Sequence, residues 1–231
     1  MQTGRTYLPP ASLRYRVSGR PEIEQFLNIG KANAGEIEYA LKKIGRDLDS
    51  FQNVLDFGCG CGRTLSWFAN RNPKFFGTDI DADAINWCRQ NLPFGKFSVN
   101  DTLPPLEYSD NTFDFIYSIS VFTHLNEDYQ FQWLSELRRV SKPNAILIIT
   151  VHDGKQKWKD LSSERLTELQ KNGFLFRITD DKKGIFPSWY QTAYHTKEYV
   201  LNVFSKYFKV LDYVERGINN FQDLVVVQKI A

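Results

Sequence analysis

Three glycines at alternate positions punctuate the run Val54-Leu55-Asp56-Phe57-Gly58-Cys59-Gly60-Cys61-Gly62-Arg63-Thr64. The run predicts a buried strand that ends in a tight turn and enters a helix. Glycine allows backbone conformations that side chains forbid, and it leaves room for a ligand against the main chain. The first N–H groups of the following helix lack partners inside it. Such an arrangement holds a nucleoside-containing cofactor. A second acid, Asp79, ends the apolar run Phe75-Phe76-Gly77-Thr78. It lies at about the spacing of a ribose-binding carboxylate in a βαβ unit, roughly 20 residues. Asp79 then accepts hydrogen bonds from both ribose hydroxyls; its other reading is a helix cap or a solvated loop acid. A nicotinamide site favours Gly-x-Gly-x-x-Gly, which this turn does not match, and a P-loop needs a Gly-Lys-Ser/Thr that is absent.

Three histidines, His124, His152 and His195, offer an ordinary pKa near neutrality for proton transfer. The chain has three cysteines, two of them inside the glycine turn. No Cys/His pairs stand at zinc-ligand spacing, so no metal is expected.

The elements that must position these groups alternate along the chain. Candidate strands are Asn53–Phe57, Phe75–Asp79, Lys96–Val99, Phe113–Ser118, Ala145–Val151, Lys209–Glu215 and Asp223–Lys229. Candidate helices are Thr64–Asn70, Asp83–Leu92, Glu127–Val140, Ser163–Asn172 and Lys197–Tyr207. Two further helices, 21–27 and 33–44, precede the first strand. Apolar runs such as Ile146-Leu147-Ile148-Ile149 predict strands covered on both faces. The order gives an α/β, Rossmann-like doubly wound sheet. Its last two strands lack an intervening helix, and Glu215–Asn220 is the turn of an antiparallel hairpin.

The glycine pattern with Asp56 before it, the strand ending in Asp79, and Asn111-Thr112-Phe113-Asp114-Phe115-Ile116-Tyr117-Ser118 occur in order. Together with Leu137 to Leu147 they resemble class I S-adenosylmethionine-dependent methyltransferases of the small-molecule type over roughly residues 50–152, and Leu13–Gly19 resembles a bacterial subgroup. The resemblance implies a seven-stranded, mostly parallel sheet with one antiparallel strand near the C-terminus. It implies S-adenosylmethionine as cofactor and S-adenosylhomocysteine as product. Asp56 would help hold the amino end of the methionine moiety, and Asp101, with Asn100 second, the adenine amino group. Gly58, Gly60, Gly62, Ile80 and Ser118 complete the expected cradle. Arg14, Tyr15 and Arg16 either close over the cofactor carboxylate or form a plain surface arm. His124, His195 and Tyr190 are the candidates for catalysis or acceptor positioning. For His124 the alternative is a hydrogen bond that shapes its loop; for His195 it is a place near a helix cap.

The expected organisation is a single domain: an N-terminal arm and helices (1–50), a cofactor-binding core (51–152), a substrate or lid insertion (153–195), and a final helix with hairpin (196–231). The insertion is too long for a simple connection. It concentrates Trp158, Phe174, Phe176, Phe186, Trp189, Tyr190 and Tyr194, with Tyr190 and Tyr194 spaced to share a helical face if that stretch is helical. Core packing and a substrate wall both account for them. A net charge of +2 argues against a nucleic-acid partner. No apolar run spans a membrane and the start lacks a signal-peptide core, so a cytoplasmic enzyme with a small-molecule acceptor is expected. The acceptor atom would be an oxygen or nitrogen of a natural product or sugar-like metabolite. RNA or protein acceptors, and a cofactor-binding regulatory or scaffold protein, are the other readings. Nothing in the sequence fixes an oligomeric state.

Overall fold

In the computed structural model, Asn53–Phe57 forms β1, buried after its first residue. Around it run β2 (Lys74–Asp79), β3 (Gly95–Val99), β4 (Phe113–Ser118) and β5 (Ser141–Val151). The model describes residues 7–152, 158–159, 161–178 and 189–230. The helices are α1 (Ala11–Ser18), α2 (Ile23–Lys43), α3 (Ala82–Asn91), α4 (Glu127–Val140), α5 (Ser163–Asn172) and α6 (Lys197–Phe204). A short two-stranded sheet pairs β6 (Phe174–Arg177) with β7 (Thr192–His195), and the chain closes with β8 (Lys209–Ile218) and β9 (Gln222–Gln228).

The main sheet has seven strands in the order β3-β2-β1-β4-β5-β9-β8. β1 to β5 are parallel, and β9 runs antiparallel to both β5 and β8. The direction of winding reverses between β1 and β4. Open sheets of this kind bind ligands at that switch point, beyond the carboxyl ends of the strands.

Alternate residues of each strand enter opposite layers, as a period of two requires. Val54, Phe115, Ile146 and Ile148 pack with Ile37 and Leu41 of α2 and Ile85 of α3. Leu55, Ile116, Leu147 and Ile149 pack with Leu134 and Leu137 of α4 and Phe204 of α6. Ile146 to Ile149 are at most 1% exposed, so both faces of β5 are covered. Each such side chain contributes about 1.5–3 kcal/mol of hydrophobic stabilisation.

Four local expectations differ from the structure. The two N-terminal helices are one, α2, which runs through Gly30. A Cβ there would lie 2.4 Å from the Arg63 carbonyl oxygen, so close packing overrides glycine's poor helix propensity. The N-terminal arm is itself helical as α1. After the glycine turn, only Leu65–Phe68 is helical, and as a 3-10 turn. Tyr194 lies in a strand, with β7 registered against Phe174–Arg177, so Tyr190 and Tyr194 do not share a helical face. Cross-strand pairs such as Phe174 with His195 and Leu175 with Tyr194 decide that segment. Phe186 lies outside the described residues.

Candidate functional site

The turn after β1 needs its glycines. Gly58 and Gly60 have φ of 82° and 52°. A Cβ on Gly58 would lie 2.1 Å from Val121 Cγ2, and one on Gly60 2.5 Å from Val17 Cγ1. The neighbouring strand pins the turn: Gly58 N and Cys59 N donate to Thr78 O at 2.8 and 3.1 Å. Gly60 N donates to Asp79 Oδ2 at 2.7 Å, and Asp81 N donates to Asp79 Oδ1 at 2.9 Å. Burial raises the Asp79 pKa against these two hydrogen bonds, which favour its charged form. Asp56, 3% exposed, accepts a hydrogen bond from Tyr117 Oη at 2.9 Å. Burial pushes its carboxyl up to about 8, and the negative charge of Asp79 adds to the rise.

A cavity of about 560 Å³ opens at this edge. Of the residues expected at the site, Asp56, Gly58, Gly60, Asp79, Ile80, Asp101, His124 and Tyr190 line it. Its volume falls within the range of small-molecule sites, about 300–1,000 Å³. Gly62, Ser118 and His195 lie outside this lining. Gly62 faces Leu92 and Cys88 behind the turn. The Ser118 side chain is fully buried, so only the strand end that it shapes reaches the edge.

The histidines divide. His124 Nδ1 lies 2.6 Å from Gln191 O. A carbonyl only accepts, so Nδ1 carries the proton and Nε2 is the basic nitrogen. Its ring stacks on Tyr190, with centroids 4.2 Å apart and planes 23° apart. His195 is fully buried, with Nε2 3.1 Å from Gln130 Oε1. Burial, reinforced by His152, pushes its pKa down to about 3. A candidate for catalysis or acceptor positioning is thus a neutral, core imidazole beside the Thr196 cap of α6, the alternative place for it, because β7 turns it inward. His152 is also buried, with Nδ1 3.3 Å from Ala193 O.

Burial raises the Tyr190 pKa above its ordinary value, which keeps the phenol protonated. In α1, Arg16 pairs with Asp81 at 2.8 Å and Asp83 at 3.1 Å. Arg14 donates to the Pro9 and Pro21 carbonyls. Arg16 therefore holds the arm against the β2–α3 corner, while Arg14 ties together the segments that flank α1. Arg63, Asn219, Phe221 and Gln222 also line the cavity, and none was expected there. The last three come from the β8–β9 hairpin, which only the folded sheet brings to this edge. Ser120, at φ 61°, joins them: its N donates to Thr150 Oγ1 and its Oγ accepts from Gln222 Nε2.

Among the described residues, no group of three or more His, Cys, Asp or Glu could hold a metal ion, and no helix is long and apolar enough to cross a membrane.

Residues 55–149 match the model of a methyltransferase domain. The phosphoethanolamine N-methyltransferase of Plasmodium falciparum is 30% identical over 139 residues, covering 55% of this chain and 50% of that protein. The fatty-acid O-methyltransferase of Mycolicibacterium smegmatis is 30% identical over 103 residues, 43% of this chain and 36% of that one. This chain thus matches half or less of the length of these curated relatives. Among solved structures, the 1,6-didemethyltoxoflavin-N1-methyltransferase of Burkholderia thailandensis, with bound S-adenosylhomocysteine, superposes with a TM-score of 0.64 at 13% identity, covering 100% of this chain and 94% of that one. A methyltransferase from Methanosarcina mazei does so at 0.60 and 18% identity, covering 77% and 92%. The matched segment, the strand order and the superposed structures together show a methyltransferase-domain match over residues 55–149 on the fold of the class I S-adenosylmethionine-dependent enzymes.

Proposed function

We propose that this chain transfers a methyl group from S-adenosylmethionine to an oxygen or nitrogen of a small molecule. One observation carries the reading: two carboxyl groups, the buried Asp56 and the half-buried Asp79, flank a glycine turn with no room for a Cβ, inside a cavity with an aromatic wall. The residues fit the cofactor. Asp79 has its oxygens fixed by backbone donors and retains acceptor capacity for ribose hydroxyls. Asp56 stands at the end of β1 to take the amino group, and Asp101 is available to the adenine. Gly62 and Ser118 support the cradle from behind rather than touching its contents.

When bound, the cofactor supplies an electrophilic methyl group on a sulfonium, open to in-line displacement. The chain's own task is to align the acceptor and exclude water. Tyr190 and His124 form a flat wall for the acceptor, and His124 Nε2 is the group able to take a proton from it. His195 has no part in the transfer. The names of the relatives, an N-methyltransferase of phosphoethanolamine and an O-methyltransferase of fatty acids, support a small acceptor and both atom types. Three buried free cysteines support a reducing, cytoplasmic setting.

Calorimetric titration with S-adenosylmethionine, S-adenosylhomocysteine and NADH tests the cofactor assignment. Micromolar binding of the first two without NADH is expected. Binding of NADH alone would overturn it.

A further inference from the structure

Apart from the solvent-exposed carboxylate of Asp101, the charged side chains lining the cavity are matched, with one exception. Arg16 has Asp81 and Asp83; Asp79 has two backbone donors; Asp56 has the Tyr117 hydroxyl. Arg63 lines the same cavity, half-buried, and its guanidinium makes no ion pair or hydrogen bond among the described residues. Burial pushes its pKa down, and neighbouring Cys61 and Asp56 offset this only in part. A desolvated cation without a partner is costly, so such a group calls for one.

A second donor stands beside it. Asn33, fully buried on α2, donates through Nδ2 to Thr64 Oγ1 at 3.0 Å, while its Oδ1 accepts from Asn219 Nδ2. Both ends of the Asn33 amide are thereby fixed. Thr64 Oγ1 is the acceptor in that bond, which leaves its own hydroxyl proton free to donate. Thr64 lines the cavity too. A guanidinium and an adjacent hydroxyl, both donors, are complementary to a small oxyanion.

We infer that Arg63, with Thr64 beside it, is the anion anchor of the cavity, and that it receives a carboxylate or phosphate group of a bound ligand. Two molecules can present that chemistry: the cofactor, through its α-carboxylate, or an anionic acceptor. Both sources rest on the methyltransferase reading; the binding of an anion at Arg63 does not.

The test uses the whole chain as wild type, Arg63→Met and Arg63→Lys. Melting of the ligand-free proteins is read first. Met removes an uncompensated charge and keeps the volume, so this variant is expected to melt at or above the wild type. Calorimetry then compares S-adenosylhomocysteine with 5′-methylthioadenosine, which keeps the nucleoside and lacks the amino-acid end. Inorganic phosphate and acetate are titrated with and without S-adenosylhomocysteine. The anchor predicts a loss of roughly tenfold or more in Arg63→Met for the anionic ligand, partly recovered in Arg63→Lys. If the anion is the cofactor's, the preference for S-adenosylhomocysteine over methylthioadenosine shrinks by that factor. If it is the acceptor's, that preference stands and the phosphate or acetate binding of the wild type is lost. Should the wild type bind these anions but no nucleoside, and Arg63→Met lose them, the anchor survives and the methyltransferase reading falls. Arg63→Met binding every probe as the wild type does would overturn the proposal, as would a wild type with neither anion binding nor an Arg63-dependent nucleoside preference. So would marked destabilisation of Arg63→Met, which would make Arg63 a structural residue.

Discussion

Asp56 has opposite effects on stability and on binding. Its carboxyl ordinarily titrates near 3.9; in the fold, burial raises it to about 8. Between those values the folded state keeps a proton that the unfolded state has lost, so this group makes stability fall as pH rises from about 4 to about 8. Asp56→Asn keeps an acceptor for the Tyr117 hydroxyl and abolishes the titration. The variant should therefore melt progressively higher than the wild type over that pH range, with the difference levelling off above it. Its affinity for S-adenosylhomocysteine should fall, by roughly tenfold or more. A parallel pH dependence of the two melting curves would remove Asp56 as the source. His195 has the opposite sign. A pKa lowered from its ordinary 6.5 to about 3 means that the neutral form is the folded one. Its contribution is complete above pH 6.5 and is lost as pH falls from 6.5 toward 3. His195→Gln should flatten that stretch of the stability curve and leave the pH profile of turnover unchanged. A new inflection in turnover would return His195 to the catalytic list. The sequence pointed to Asp56 and Asp79 because both sit at strand ends next to their own motif. It could not separate His124 from His195, because the difference is which way a loop and a short strand aim two imidazoles.

At the level of elements, the β1 turn and α1 act together. Gly58 is held at φ 82° with Val121 within 2.1 Å of the site of a Cβ. Gly58→Ala should therefore cost on the order of 3 kcal/mol through strain and overlap, about 6–12 °C in melting temperature, and abolish cofactor binding. An alanine variant that melts and binds normally would refute the tight cradle. α1 closes the other side of the turn, with Val17 over Gly60 and Arg16 on Asp81. The ion pair is partly exposed, so its loss should hardly change melting. Arg16→Ala should instead speed dissociation of S-adenosylhomocysteine a few-fold, and high salt should have the same effect on the wild type. Equal dissociation rates in the two proteins would show that the arm does not gate the cavity. Much of this layer was readable from sequence, with strands announced by Val-Leu-Asp-Phe and Ile-Leu-Ile-Ile. α1 was not, because Arg14, Tyr15 and Arg16 offer no apolar stripe; its place depends on contacts with Asp81, 65 residues from Arg16. β6 and β7 were also missed, since neither can form before the other is in place.

For the whole molecule, the seven-stranded order puts the hairpin between β8 and β9 beside the β4 end, so residues from both halves of the chain enclose one cavity. A partly open cavity of about 560 Å³ is of a size for a cofactor and a small acceptor, whereas most of a polymer would lie across the surface. That surface carries a net charge of only +2. Binding of nucleic acid is driven by phosphate contacts and weakens steeply with salt, by roughly 10³ or more between 50 and 200 mM for a protein making six or more such contacts. A cavity that captures its acceptor through local donors and an aromatic wall has no such dependence. With methyl-labelled S-adenosylmethionine and a cell extract, label should enter the filterable small-molecule fraction at rates that change little across that salt range. Label that appears instead in RNA and vanishes at the higher salt would transfer the acceptor to nucleic acid. Label in protein, insensitive to nuclease, would do the same for a polypeptide. Each result would leave the fold and the glycine cradle as they are, because the sheet edge that holds the cofactor is built independently of the loops that choose the acceptor.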